Sequence, residues 1–266
     1  MADRVKLKYP IVFVHGVAAT ERSLLINFWG RIPRYLANFG IKVHYGNTDS
    51  WAGYKTNAPM LIKSLNKILE RTGRGKVNII AHSKGGIDAR YVISSCGFHD
   101  KVASLTTLCT PHLGSELSDY VFERNYVNNR FAKVLMSLLG ILYGDNNPDP
   151  KELLRELKTD NMRKFNERNP NVDDIFYQSY YTKLKNGFDD LNYYTSYMVL
   201  HRLAGDNDGI ISNRSTKWGE VHELIDGKTN GISHAEIVDF YQKKISGVHI
   251  PEIYLDIIKD LSRRGF

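Results

Sequence analysis

The chain has 266 residues, 42% hydrophobic and 24% charged, which is enough apolar material for a sizeable core and excludes a disordered protein. Its two cysteines, Cys96 and Cys109, make no disulfide framework and read as free thiols. The net charge of +7 comes from scattered Lys and Arg with no nucleic-acid-binding motif, so it reads as a solvated basic surface, with attraction to anionic lipid surfaces as the functional counterpart.

Met1 to Pro10 is charged and lacks the apolar h-region of a secretory signal, and no apolar run reaches the length of a membrane span. The expectation is a cytoplasmic protein, or one secreted without a cleavable signal peptide. Short runs rich in Val and Ile follow, at Ile11–Val14, Ile41–Tyr45, Val77–Ala81, Val102–Leu108 and near Ile175–Tyr180. Helical patterns separate the first four, over Ile26–Phe39, Ala58–Arg71 and Gly86–Ser94. This alternation predicts a mostly parallel sheet flanked by helices, an α/β fold.

The rhythm breaks near residue 110. From Ser115 to Pro170 no strand pattern occurs; Phe131–Tyr143 is apolar over more than one face, and Asp149–Arg168 is charged and amphipathic. One domain over residues 1–266, with a helical lid or cap insertion at approximately 116–170, is the economical layout.

The sharpest motif is Ala81-His82-Ser83-Lys84-Gly85. A buried strand runs into a tight turn and a helix follows, which is the setting of a nucleophile elbow. Small residues are needed two positions to either side of the serine, because strand and helix approach closely there; Ala81 and Gly85 satisfy this. Ser83 is therefore the candidate nucleophile. An acyl-transfer oxyanion needs two aimed N–H donors, and the backbone groups of Val17, after the first strand, and Lys84 are the natural pair. His15, just before this loop, reads as a structural histidine.

On such a fold the acid follows the serine and the histidine comes last. Order leaves His201, His222, His234 and His249 as late candidates. Gly205-Asp206-Asn207-Asp208-Gly209 supplies an acidic turn after an apolar run, expected to lie at the carboxyl end of a strand. Asp208 is preferred and Asp206 is the alternative. His201 precedes this acid, whereas His234 lies between a loop and a helical pattern and is the preferred base.

These motifs, with Tyr9–Gly16, Thr110-Pro111-His112-Leu113-Gly114-Ser115, Asn169-Pro170 and Asn207–Ile211, resemble the bacterial true lipases of the Proteus and Pseudomonas types, members of the α/β-hydrolase superfamily. The resemblance implies a Ser83–Asp208–His234 triad, oxyanion donors at Val17 and Lys84, and a lid over the site. It also implies a structural calcium bracing the histidine loop, with Asp189 and Glu236 at the ligand places. Glu236 stands where the family carries Asp. Ala81 stands where the Proteus-type enzymes carry glycine, and Lys84 is a third departure, read either as a cation near the acyl site or as a solvent-facing side chain. No cofactor is expected for the chemistry, and the expected substrate is a lipid ester, met at a lipid–water interface. The alternatives are a short-chain carboxylesterase or acyltransferase on the same triad, or a non-catalytic lipid-binding protein on this fold.

Overall fold

The computed structural model describes residues 4–21, 23, 27–124, 144–224 and 231–266. Six strands form one parallel sheet: β1 (Ile11–Val14), β2 (Val43–Tyr45), β3 (Val77–His82), β4 (Val102–Leu108), β5 (Phe176–Tyr181) and β6 (Glu220–Glu223). Their spatial order is β2-β1-β3-β4-β5-β6, each pair parallel. The chain thus runs outward from β1 to β2, then returns to β3 on the other side of β1. A crevice at the carboxyl ends of the strands is expected beside such a reversal.

The central strands are buried on both faces because each face is covered. Every residue of β1, β3 and β4 is buried. Alternate side chains enter opposite layers. Ile11, Phe13 and Ile80 pack with Trp29, Leu36, Tyr254 and Ile258, the layer of helices α1 (Ile32–Ala37) and α8 (Ile250–Arg263). Val12, Val14, Ile79 and Ala81 pack with Leu61, Leu65, Val92 and Ile93, the layer of α2 (Tyr54–Thr72) and α3 (Lys84–Ser94).

Between β4 and β5 lie three described helices, α4 (Glu116–Glu123), α5 (Pro150–Glu156) and α6 (Thr159–Arg168). Asp149 caps α5 by accepting from Glu152 N, with proline at the first helical position. The apolar stretch Phe131–Tyr143 lies outside the described residues. Leu153, Leu157, Met162 and Phe165 form a small core with Ile87 of α3. Cys96 is exposed and Cys109 buried, both unbridged.

Two elements depart from the sequence expectations. The apolar run before Asp208 is a helix, α7 (Tyr194–Ala204), so the acidic turn follows a helix and not a strand. Its position is set laterally: Leu184, just past β5, donates from its N–H to Asn207 O at 3.0 Å. The last strand, β6, is Glu-Val-His-Glu, mostly exposed at the sheet edge, and carries no apolar signature. Among the described residues, no helix is long and apolar enough to cross a membrane.

Candidate active site

Ser83 sits between β3 and α3 with φ 53° and ψ −132°. A non-glycine residue with this backbone is strained, and surrounding contacts must hold it. Ser83 N donates to Leu108 O at 2.9 Å, while Ser83 O accepts from Thr110 Oγ1 at 2.7 Å and Gly86 N at 3.1 Å. The small neighbours have a steric cause. A Cβ on Gly16 would lie 2.6 Å from Ser83 Cβ, and one on Gly85 would overlap the carbonyl oxygens of His15 and Val14.

His234 Nε2 lies 2.9 Å from Ser83 Oγ, and His234 Nδ1 lies 2.7 Å from Asp208 Oδ2. The other oxygen, Asp208 Oδ1, accepts from Ile210 N at 2.9 Å and Ile211 N at 2.7 Å. His234 N also donates to Asp208 O at 2.9 Å, locking the two loops together. All three side chains are buried, Ser83 at 5%, Asp208 at 1% and His234 at 8% exposure, so water does little to weaken these polar contacts. Such a chain can move a proton from hydroxyl to imidazole and stabilise the resulting cation.

The other candidates lie elsewhere. Asp206 is exposed and paired with Lys183 at 2.8 Å. His201 stacks on Tyr197, His222 faces Glu220 on β6, and His249 precedes α8 beside Glu252. His15 is fully buried, its ring nitrogens 2.7 Å from Gly16 O and 3.0 Å from Thr48 O, as a structural histidine should be.

Two neighbours of the three residues escape a reading of chain order. His82 Nε2 lies 3.0 Å from His234 O, and the two rings are 4.6 Å apart. Burial, and then the nearby His234, push the His82 pKa well below the usual histidine value, so the ring is neutral and donates from Nε2–H. Cys109, left-handed at φ 51°, places its thiol within 4.8 Å of ligand atoms of both Asp208 and His234. Burial, and then Asp208, push this thiol well above its ordinary pKa, so it stays protonated.

Of the two residues expected to supply oxyanion donors, Lys84 is the first residue of α3, and Val17 follows Gly16 in the loop pressed against Ser83. Ala18, next to Val17, has φ 108°, so this loop is also held out of the common regions. The Lys84 side chain takes neither expected course. It is buried, and Nζ donates to Asp88 Oδ2 and Asp49 O, both at 2.8 Å, and to Ala52 O at 3.3 Å. Its cation ties α3 to the loop before α2, away from solvent.

The expected calcium pair is not brought together by hydrogen bonding. Asp189 caps its own turn, Oδ2 accepting from Lys185 N at 2.9 Å and Asn186 N at 2.8 Å. The carboxylate that reaches the histidine loop is Asp190, which accepts from Ser233 Oγ at 2.7 Å, while Glu236 accepts from Ser233 N at 2.9 Å. Burial raises the Glu236 pKa, and the negative charge of Asp190 raises it further.

Comparison with known proteins agrees with this architecture. The palmitoyl protein thioesterase family matches residues 10–248. Triacylglycerol lipase 2 of Saccharomyces cerevisiae is 29% identical over 264 residues, covering 91% of this chain and 76% of the yeast protein. A triacylglycerol lipase of Pseudarthrobacter phenanthrenivorans is 30% identical over 161 residues, 57% of this chain and 50% of that lipase, so the match spans half the bacterial protein. The mature lipase BlEst2 of Bacillus licheniformis has the same fold, with a TM-score of 0.71 at 22% identity over 97% of this chain and 95% of that one. Fold and relatives define the class as a carboxylic ester hydrolase of the α/β-hydrolase superfamily, and the likeness to bacterial lipases read from the motifs holds. More narrowly, the chain belongs to the palmitoyl protein thioesterase family.

Proposed function

We propose that the protein cleaves carboxylic esters of lipids through an acyl-enzyme on Ser83. The observation that carries this reading is the unbroken chain Ser83 Oγ–His234 Nε2 and His234 Nδ1–Asp208 Oδ2, at 2.9 and 2.7 Å. His234 takes the Ser83 proton as Oγ attacks the ester carbonyl, and Asp208 holds the imidazolium that forms. The N–H groups of Val17 and Lys84 receive the oxyanion. His234 then returns the proton to the leaving alcohol; water, activated by the same imidazole, attacks the acyl carbonyl and frees the acid and Ser83.

A lipid substrate is supported by the surface around the element that precedes Asp208. Phe188 and Leu191 are each 72% exposed, Met198 is 49% and Leu203 is 47%, all within one stretch of chain. Where such side chains join in one patch, they mark contact with apolar partners. Helices α4 to α6 serve as the cap of this single domain. They are tied to the body where Asp145 accepts from Ser50 N and Trp51 N, both at 2.7 Å, and where Glu156 accepts from Tyr54 N at 2.8 Å. A structural calcium would be held by Asp190 and Glu236, not Asp189, because both of those carboxylates bond Ser233, next to His234, while Asp189 caps its own turn. It would supply bracing of the His234 loop and take no part in the chemistry.

The test is labelling by a fluorophosphonate probe together with turnover of p-nitrophenyl esters of increasing chain length, below and above their solubility limit. Ser83 should be labelled, and Ser83→Ala should lose turnover by roughly four orders of magnitude with its fold retained. A folded Ser83→Ala protein of undiminished turnover would refute the mechanism. Preference for short soluble esters with no rise at the interface would replace the lipid substrate with a carboxylesterase one.

A further inference from the structure

A second site is carried by the opposite side of the sheet from β6. Along α2, Lys63, Lys67 and Arg71 recur at every fourth position, on one helix face. They line a groove of about 490 Å³ whose other wall is the edge strand β2 and the loop after it, with His44, Tyr45 and Asn47. Among the described residues, no acidic side chain lines this groove. All three cations are exposed, and no carboxylate among the described residues pairs with any of them. Like charges spaced by four on a helix repel and weaken it slightly. The positive potential is felt within the groove: burial first, and then Lys42 and Arg71, hold the His44 pKa below its ordinary value. Ser64 and Tyr45 add neutral hydroxyl groups to the same walls.

We propose that this groove binds a multiply charged phosphate-bearing anion, with Lys63, Lys67 and Arg71 contacting separate oxygens. Among the described residues the row makes no ion pair, and it lies in a concavity whose walls also carry Ser64 and Tyr45, which together are the complement of such a ligand. The site shares no residue with Ser83, Asp208 or His234 and does not depend on the hydrolytic reading. A free polyphosphate and an anionic lipid headgroup offer the same chemistry, and the experiment separates them.

Binding is measured by titration calorimetry with inorganic tripolyphosphate and by co-sedimentation with vesicles of phosphatidylglycerol or phosphatidylcholine, each at low and high salt. Two triple variants are compared: Lys63→Gln/Lys67→Gln/Arg71→Gln in the groove, and Lys6→Gln/Lys259→Gln/Arg263→Gln outside it, which removes the same charge. The groove variant should lose affinity by roughly tenfold or more, with ester turnover unchanged, while the second variant keeps wild-type affinity. Loss with tripolyphosphate assigns a soluble ligand, and loss only with phosphatidylglycerol vesicles assigns a headgroup. Absence of binding to either probe, or equal loss in both variants, would overturn the proposal. Removing the like-charge row should leave helix content intact by circular dichroism, so a fall in binding is not a fall in folding.

Discussion

The neutral imidazole of His82 donates a hydrogen bond from Nε2–H to the backbone carbonyl of His234, 3.0 Å away. The residue immediately before the proposed nucleophile therefore grips the loop that carries the proposed base. Both ends of the proton path share one clamp: moving the His234 loop breaks the His82 contact, and moving the elbow does the same.

Replacing His82 by Phe keeps a ring in the buried space but removes this donor. We expect kcat to fall by about 10- to 100-fold, the effect of a small misplacement of reacting groups, with KM little changed. Steady-state kinetics on a soluble ester checks this, and a raised KM with kcat unchanged would show that the residue acts on substrate binding instead.

Lys84 and Asp88 form a buried ion pair at 2.8 Å, with side-chain exposures of 1% and 0%. Lys84→Met leaves the Asp88 charge stranded and should cost about 3–5 kcal/mol of stability. Adding Asp88→Asn should recover much of that loss, since a neutral amide can still accept from Asn57 Nδ2, now 2.8 Å from Asp88 Oδ2. Denaturant midpoints of the wild type and the single and double variants decide the matter.

Glu156, at the end of α5, has its pKa raised from 4.5 to about 7, by burial first and then by Asp88 and Glu152. The folded protein thus binds this proton more tightly than the unfolded chain does. Its contribution is fully present below the unfolded value of 4.5 and is lost as pH rises through about 7. Glu156→Gln keeps an acceptor for Tyr54 N without the charge. The variant should match the wild type near pH 4 and exceed it at pH 8, as read from thermal midpoints across that range.

Calcium should raise the thermal midpoint of the wild type by a few degrees and EDTA should reverse the rise, because a divalent cation relieves the repulsion between Asp190 and Glu236. Asp190→Asn should abolish the response, whereas Asp189→Asn should retain it. A response lost only on changing Asp189 would return the ligand role to that residue.

The parallel sheet was legible because continuous Val and Ile runs have one economical explanation, burial on both faces. The β3–turn–α3 segment was legible because a strained serine between close-packed elements admits only small neighbours. Helix α7 and strand β6 were not. The apolar run of α7 is short enough to pass for a strand, and Glu-Val-His-Glu in β6 is held by its ladder to β5, not by buried side chains. Lys84 misled for a similar reason: lysine belongs by default in solvent, and only the carbonyls of Asp49 and Ala52 with Asp88 make its burial tolerable.

By itself the sequence determined the local chemistry: which backbone turns sharply, which residues must be small there, and in what order a hydroxyl, a carboxylate and an imidazole occur. Those are short-range matters of sterics and periodicity, readable along a few neighbouring positions. Only the tertiary structure decided that Asp190 and not Asp189 faces the histidine loop, that His82 holds it, and that three cations of α2 share a groove with β2. These depend on which way a side chain points once distant segments meet, and one residue of register reverses that direction.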